Sequence, residues 1–373
     1  MTPRARAIFP SPSLRGGVRG GASAASANSG AIHLRSRRAP PPAPPREERG
    51  GETRGGRFGG LAVLACALTL FATTQALAED LGGADLTAPP VTSAEALPAT
   101  LSGTLAKVRA SGIITLGYRD ASFPFSYVRP GSPEPLGYSV DLCKGVAAEV
   151  TRELQGAPVR IAYEPVTSDT RIEAVTSGKI DIECGSTTDN VEREKTVAFS
   201  PLIFVAGTKL LARRGGPIRS FRDLTGKTLV VTSGTTNEKA MRALNDKYKL
   251  GISIVAAPDH DASYEMLASG KADAFATDDV LLNGFISSRN AGATMEVVGD
   301  YLTYEPYGLM FRKDDPEMSE AVRRAFAAMA SDGELVANYH KWFLGPTPTG
   351  ENINLPMSLQ LTEALRAMGV DEF

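Results

Sequence analysis

Cysteine, histidine and tryptophan are scarce: 373 residues hold three, three and one of them. No two cysteines stand at Cys-x-x-Cys spacing, no His-Glu-x-x-His segment occurs, and no Gly-x-Ser-x-Gly turn appears. The usual zinc, thiol-redox and hydrolase arrangements are therefore missing, and neither a metal nor a cofactor is expected. Apolar runs are short as well. The run 61–71 is roughly half of the about 20 residues needed to cross a bilayer, so it does not read as a membrane anchor. A surplus of positive charge is absent where it would matter. Residues 1–78 carry eleven Arg against three Glu, a surplus of +8, in a chain of net charge −2, which leaves residues 79–373 at −10. An acidic folded part argues against a nucleic-acid partner.

The N-terminal region lacks what folding needs. Residues 1–57 are rich in Arg, Pro, Gly and Ala and nearly devoid of aromatic and β-branched side chains, so they are expected to be a disordered extension, as if the gene start had been set too far upstream. Residues 58–78 read as a secretory leader: Arg57 precedes the apolar run, and Ala76-Leu77-Ala78 is a small-x-small site. Export to the periplasm with cleavage after Ala78 is expected. Cys66 leaves with the leader, and the remaining pair, Cys143 and Cys184, favours a disulfide in an oxidising compartment; two free buried thiols are the alternative.

What is present is a regular alternation. With 42% hydrophobic and 22% charged residues the rest of the chain has an ordinary globular composition. Leu105 and Val108 at helical spacing end at Gly112, and residues 113–119 read as a buried strand. A helix follows through Val140, Cys143, Val146, Ala147, Val150 and Leu154, then a strand over 161–166 and a short helix over 171–177. After residue 206 the pattern restarts, with a strand over 228–231, a helix through Met241 and Leu244, a strand over 252–256 and a helix over 266–270. One further strand, 304–311, leads to helices over 317–329 and 334–343. Strand–helix alternation predicts an α/β fold. Two lobes, 101–206 and 207–303, would face each other, and ligands of open α/β sheets bind outside the carboxyl ends of the strands. Trp342 reads as a packing anchor of the last helix.

Three of those strand ends carry polar chemistry. The segment Glu183-Cys184-Gly185-Ser186-Thr187-Thr188-Asp189-Asn190-Val191-Glu192-Arg193 sets hydroxyls and an arginine behind a glycine, a pattern suited to a carboxylate. Val231-Thr232-Ser233-Gly234-Thr235-Thr236-Asn237 repeats the hydroxyls, whereas Ala274-Phe275-Ala276-Thr277 runs into Asp278-Asp279. Hydroxyls and arginine at two ends and carboxylates at the third suit a zwitterion. One of the two aspartates reads as an ordinary charge at a helix N-terminus.

From about Leu101 to the C-terminus the chain resembles the type II periplasmic solute-binding proteins, solute-binding family 3, and among them the glutamate/aspartate-binding components of bacterial ABC importers. The resemblance rests on Gly137-Tyr138-Ser139-Val140-Asp141, Val166-Thr167-Ser168-Asp169-Thr170-Arg171-Ile172, the segments 183–193 and 231–236, and Asp259-His260. Ser139 departs from the general family signature, which usually has an acidic residue there. The resemblance implies a two-lobed Venus-flytrap fold with two hinge crossings, residues 304–373 returning to the first lobe and forming the C-terminal tail. It assigns the ligand α-carboxylate to Arg193, Thr188, Thr232 and Thr235, the α-ammonium to Asp278 and Ser186, and the side-chain end to Arg119, Ser168, Arg171 and His260. It further implies a monomer that captures L-glutamate or L-aspartate and delivers it to ABC permease subunits. Two readings compete: another polar amino acid such as glutamine, and an exported dehydratase-like enzyme of the same fold using Ser233, His260 and Asp278.

Overall fold

The computed structural model describes residues 100–132 and 134–370; the extension at 1–57, the leader at 58–78 and the cleavage position after Ala78 lie outside them. Helix α1 (Gly103–Ser111) buries Leu105 and Val108 and stops where Gly112 turns left-handed at φ 66°, a conformation that favours glycine. Strand β1 (Ile113–Tyr118) then enters the core, and a tight hairpin, β2 (Ala121–Ser122) and β3 (Ser126–Tyr127), precedes helix α2 (Tyr138–Glu153). Strand β4 (Arg160–Pro165), helix α3 (Arg171–Thr176), strand β5 (Ile182–Glu183) and strand β6 (Val197–Phe199) complete the first pass through this lobe. The chain leaves through β7 (Phe204–Ala206).

The second lobe comprises β8 (Thr208–Arg213), β9 (Thr228–Thr232), α4 (Thr236–Tyr248), β10 (Ser253–Ala257), α5 (His260–Ala268), β11 (Ala274–Asp278), α6 (Asp279–Ser288) and β12 (Met295–Val298). The return runs through β13 (Glu305–Tyr307), which pairs antiparallel with β7. Strand β14 (Met310–Arg312) and helices α7 (Pro316–Ser331), α8 (Glu334–Tyr339) and α9 (Leu359–Ala367) then pack on the first lobe.

Two five-stranded sheets result, ordered β4-β1-β5-β14-β6 and β10-β9-β11-β8-β12. In the first, β1 pairs in parallel with β4 and β5; in the second, β9 pairs in parallel with β10 and β11. All six of those parallel strands therefore end on the same side of their sheets, which gathers the loops that follow them. The architecture is the two-lobed α/β, type II arrangement. Among the described residues no helix is long and apolar enough to cross a membrane.

Several elements differ from the sequence-based expectation. The strand expected over 304–311 is two strands, because Gly308 and Leu309 step the chain from the hinge pair into the first sheet. The helix expected over 266–270 begins six residues earlier at His260, where the Asp259 side chain accepts the Ala262 N–H. The helix expected over 334–343 widens into a π turn over His340–Leu344.

An aromatic cluster roots the hinge in the first lobe. Phe204 of β7 lies 4.9 Å from Phe343 and 5.0 Å from Phe125 between ring centroids, and Tyr307 of β13 lies 5.2 Å from Phe125. Each such pair adds about 0.5–1.5 kcal/mol beyond simple burial. Trp342 is buried, meets Tyr127 edge-on and donates its Nε1–H to Asp141 at 2.8 Å, so it anchors the C-terminal helices.

Cys143 on α2 and Cys184 beyond β5 form a disulfide, both fully buried, closing 41 residues of chain. In the chain-entropy model a loop of that length stabilises by about 3–4 kcal/mol. Replacing both cysteines by serine is expected to lower the urea midpoint and to steepen the slope, because the released unfolded chain exposes more surface. An unchanged midpoint would mean the bridge contributes nothing.

Candidate functional site

Six strand ends supply the polar groups. Arg119 follows β1, Ser168 and Arg171 follow β4, and the segment from Glu183 to Arg193 follows β5. From the other lobe, Thr232 ends β9 and Thr235 follows it, His260 follows β10, and Asp278 ends β11. All ten expected ligand residues, Ser186 and Thr188 of that segment included, are buried, Arg119, Arg171 and Arg193 being 3%, 2% and 8% exposed. Arg171 is thus not an exposed helix residue, nor His260 a surface loop residue.

The three guanidinium groups are partly satisfied by the protein. Arg119 Nη2 donates to Ser168 Oγ at 2.7 Å, while its Nη1 is buried without a partner. Arg171 Nη1 donates to Thr187 Oγ1 at 2.7 Å, and its Nε is likewise without a partner. Arg193 Nη1 donates to the Thr188 carbonyl at 2.6 Å. Burial, then repulsion from Arg171, lowers Arg193 to about 9 and Arg119 to about 10, so both remain cationic at neutral pH. Ser186 Oγ is a third buried polar atom here with no partner. Orphaned donors of this kind are rare in folded proteins and mark a place where a ligand completes the hydrogen bonding.

The second lobe orients its groups through short contacts. His260 Nδ1 lies 2.7 Å from Thr232 Oγ1, which also meets Ser263 Oγ at 2.8 Å. Burial and the neighbouring Arg119 and Arg171 push His260 well below its ordinary value, which keeps the ring neutral. Thr235 caps α4: its Oγ1 accepts the Glu238 N–H and donates to the Thr232 carbonyl. The hydroxyls of Thr232 and Thr235 are therefore engaged within their own lobe.

Asp278 and Asp279 part company. Asp279 Oδ2 accepts from Tyr301 at 2.8 Å and its Oδ1 accepts the Gly207 N–H at 3.3 Å, which ties α6 to the hinge. Asp278 Oδ1 accepts from Asn237 Nδ2 at 2.7 Å, and its Oδ2 accepts from the Tyr307 hydroxyl. Burial, then the Glu305 charge, raises Asp278 to about 7.

Sequence reasoning missed five participants: Glu183, Thr187, Asn237, Glu305 and Tyr307. Glu305 Oε2 accepts from Thr188 Oγ1 in one lobe and Thr236 Oγ1 in the other, both at 2.7 Å. Its signal was a carboxylate two residues from a tyrosine on one strand, hence on one face, inside an apolar stretch. Glu183 gave the same signal by ending the run Ile180-Asp181-Ile182.

Comparison with known proteins adds an independent line. The model of the bacterial extracellular solute-binding proteins, family 3, matches residues 114–345. The L-glutamate/L-aspartate-binding protein of Pseudomonas aeruginosa is 43% identical over 274 residues, covering 73% of this chain and 91% of that protein. The glutamate/aspartate import solute-binding protein of Escherichia coli is 39% identical over 274 residues, 74% of this chain and 89% of that one. Among solved structures, an ancestral arginine-binding protein bound to arginine superposes with a TM-score of 0.56 at 30% identity, over 62% of this chain and 98% of its own.

The raised Asp278 generates a pH test. A carboxyl that titrates higher in the folded than in the unfolded chain contributes stability fully below its unfolded value, and that contribution is lost as pH rises through about 7. Asp278→Asn is therefore expected to gain stability over the parent as pH goes from 5 to 8 in the absence of ligand. Thermal melts across that range check it; a constant offset between the two proteins would mean Asp278 is not the group responsible.

Proposed function

Because the chain belongs to the bacterial extracellular solute-binding proteins of family 3, we propose that it captures L-glutamate or L-aspartate outside the cytoplasm and delivers it to an ABC importer. The observation that carries this reading is the pair Arg119 and Arg171: two buried guanidinium groups beside a neutral His260, each with a nitrogen left over. Two fixed cations are suited to a distal carboxylate, and an uncharged amide would leave them under-compensated.

At the other end of the ligand, Arg193 and the first N–H groups of α4 would grip the α-carboxylate, and Asp278 with Ser186 would take the α-ammonium. Thr188, Thr232 and Thr235 support those groups, and Ser168 holds Arg119. Closure about the β7–β13 hinge would exclude water and strengthen each of these contacts. Binding is favoured over catalysis by the relatives, which are solute-binding proteins. We take the working unit to be a monomer that meets permease subunits. The leader is removed after Ala78 in this reading, and an intact mass beginning at Glu79 is expected; retention of 72–78 would overturn that part alone.

Calorimetry with a panel of amino acids tests the assignment. Arg171→Ala should weaken glutamate and aspartate while affecting glutamine much less, since a buried charge left without its partner costs about 3–5 kcal/mol, or about two to three and a half decades in affinity. Arg193→Ala should weaken all of them alike, because all share the α-carboxylate. Ligand recovered from these incubations is expected unchanged. Equal losses for glutamate and glutamine in Arg171→Ala would show that this arginine does not read the side chain.

A further inference from the structure

Glu183 is the group that this reading leaves unused. It is fully buried, its Oε2 accepts from Thr187 Oγ1 at 2.6 Å, and its Oε1 has no partner. Thr187 in turn accepts from Arg171 Nη1 at 2.7 Å, so one hydroxyl joins the carboxylate to the guanidinium. The backbone is shaped to admit it. A Cβ on Gly185 would overlap Glu183 Oε1 and crowd Arg119 Cγ at 2.9 Å, so the glycine leaves room for the carboxylate beside the Arg119 stem. Burying an anion in this way costs several kcal/mol unless it is compensated, and the cations that feel Glu183 are Arg119 and Arg171 at this end of the site and Arg193 beyond them.

We infer that Glu183 is a built-in counter-ion that sets the side-chain end of the site to a net charge of +1, matched to one carboxylate. Counting the fully buried groups, two guanidinium groups and a neutral imidazole would present +2, a field that a single carboxylate only half neutralises; of the other acidic neighbours, Asp120 and Asp169 are exposed and Asp259 half-buried, so water screens them. With Glu183 present, a distal monoanion brings the pocket to neutrality. Ligands with a doubly charged distal group overshoot, and neutral ligands leave one charge uncovered. The Glu183 charge acts on both arginines, following burial as the largest influence on Arg171 and following burial and Arg171 on Arg119. Glu183 is thus a specificity-determining residue that acts through Arg119 and Arg171.

This inference rests on acidic amino acids being the ligands, and the experiment separates the two claims. Glu183→Gln keeps an oxygen acceptor for Thr187 and removes the charge, at the cost of turning the other oxygen into an NH2 donor. Calorimetry with glutamate, glutamine and O-phospho-L-serine, whose phosphate carries about −2 at pH 8, is run on parent and variant. In the variant the preference for glutamate over glutamine should widen by about tenfold, and O-phospho-L-serine should gain on glutamate by a similar factor. Both ratios staying at the parental values would overturn the role of Glu183. A parent that binds neither glutamate nor aspartate would instead sink the proposed function. For a variant that folds only with ligand, the two ratios are read instead from the melting-temperature shifts that glutamate, glutamine and O-phospho-L-serine produce, and the same criteria apply. One that fails to fold with or without glutamate, together with Glu183→Met behaving the same way, counts against it and makes the carboxylate structural.

Discussion

Three guanidinium groups share one buried space, and like charges out of water repel strongly unless each finds an acceptor and the whole finds counter-charge. Most of the polar architecture answers that requirement. Ser168 and Thr187 accept from Arg119 and Arg171, the Thr188 carbonyl accepts from Arg193, and the carboxylates of Glu183, Glu305 and Asp278 supply negative charge from three different strands. The fully buried guanidinium donors left over after this accounting lie on Arg119 and Arg171, the pair assigned to the distal end of the ligand.

The hinge and the site are built from the same strand. On β13, Glu305 and Tyr307 project to one face, where Glu305 gathers hydroxyls from Thr188 and Thr236 and Tyr307 donates to Asp278. The Tyr307 ring is meanwhile packed on Phe125 in the aromatic cluster of the first lobe. Any rotation about the hinge therefore changes the setting of Asp278 and of the Thr188 loop at once. Coupling of closure to ligand contacts then needs no long-range relay. Two glycines in the second lobe fit the same geometry: a side chain on Gly234 would run into Asp169, and one on Gly284 would meet the Phe123 carbonyl at 2.7 Å.

Much of this was legible in the chain. Arg119, Arg171, Arg193, His260 and Asp278 each follow an apolar strand, and the rule that such ends carry ligand groups converts a one-dimensional pattern into a site without knowledge of the third dimension. What was hidden depends on non-local pairing. Nothing in residues 304–311 announces that the first half pairs with β7 and the second half inserts between β5 and β6, because both halves share one alternating pattern. Glu305 and Tyr307 became visible only once that split put them under Thr188 and Asp278. Glu183 was quoted as part of a motif, yet its role depends on the glycine two residues on and on a hydroxyl four residues on.

Proton counting refines how the α-carboxylate end can work. A threonine hydroxyl has one proton to give. Thr188 gives its proton to Glu305, Thr236 does likewise, and Thr235 gives its own to the Thr232 carbonyl. None of these three hydroxyls retains a proton for an anion in this arrangement, although all stand in segments that look made for one. The donors that remain at that end are the Arg193 guanidinium and the first N–H groups of α4, which Thr235 holds in place as the cap. The hydroxyl-rich loops act less as direct ligands than as the scaffold that fixes an arginine and a helix end, and an acidic hinge residue, Glu305, is what turns Thr188 and Thr236 to that task.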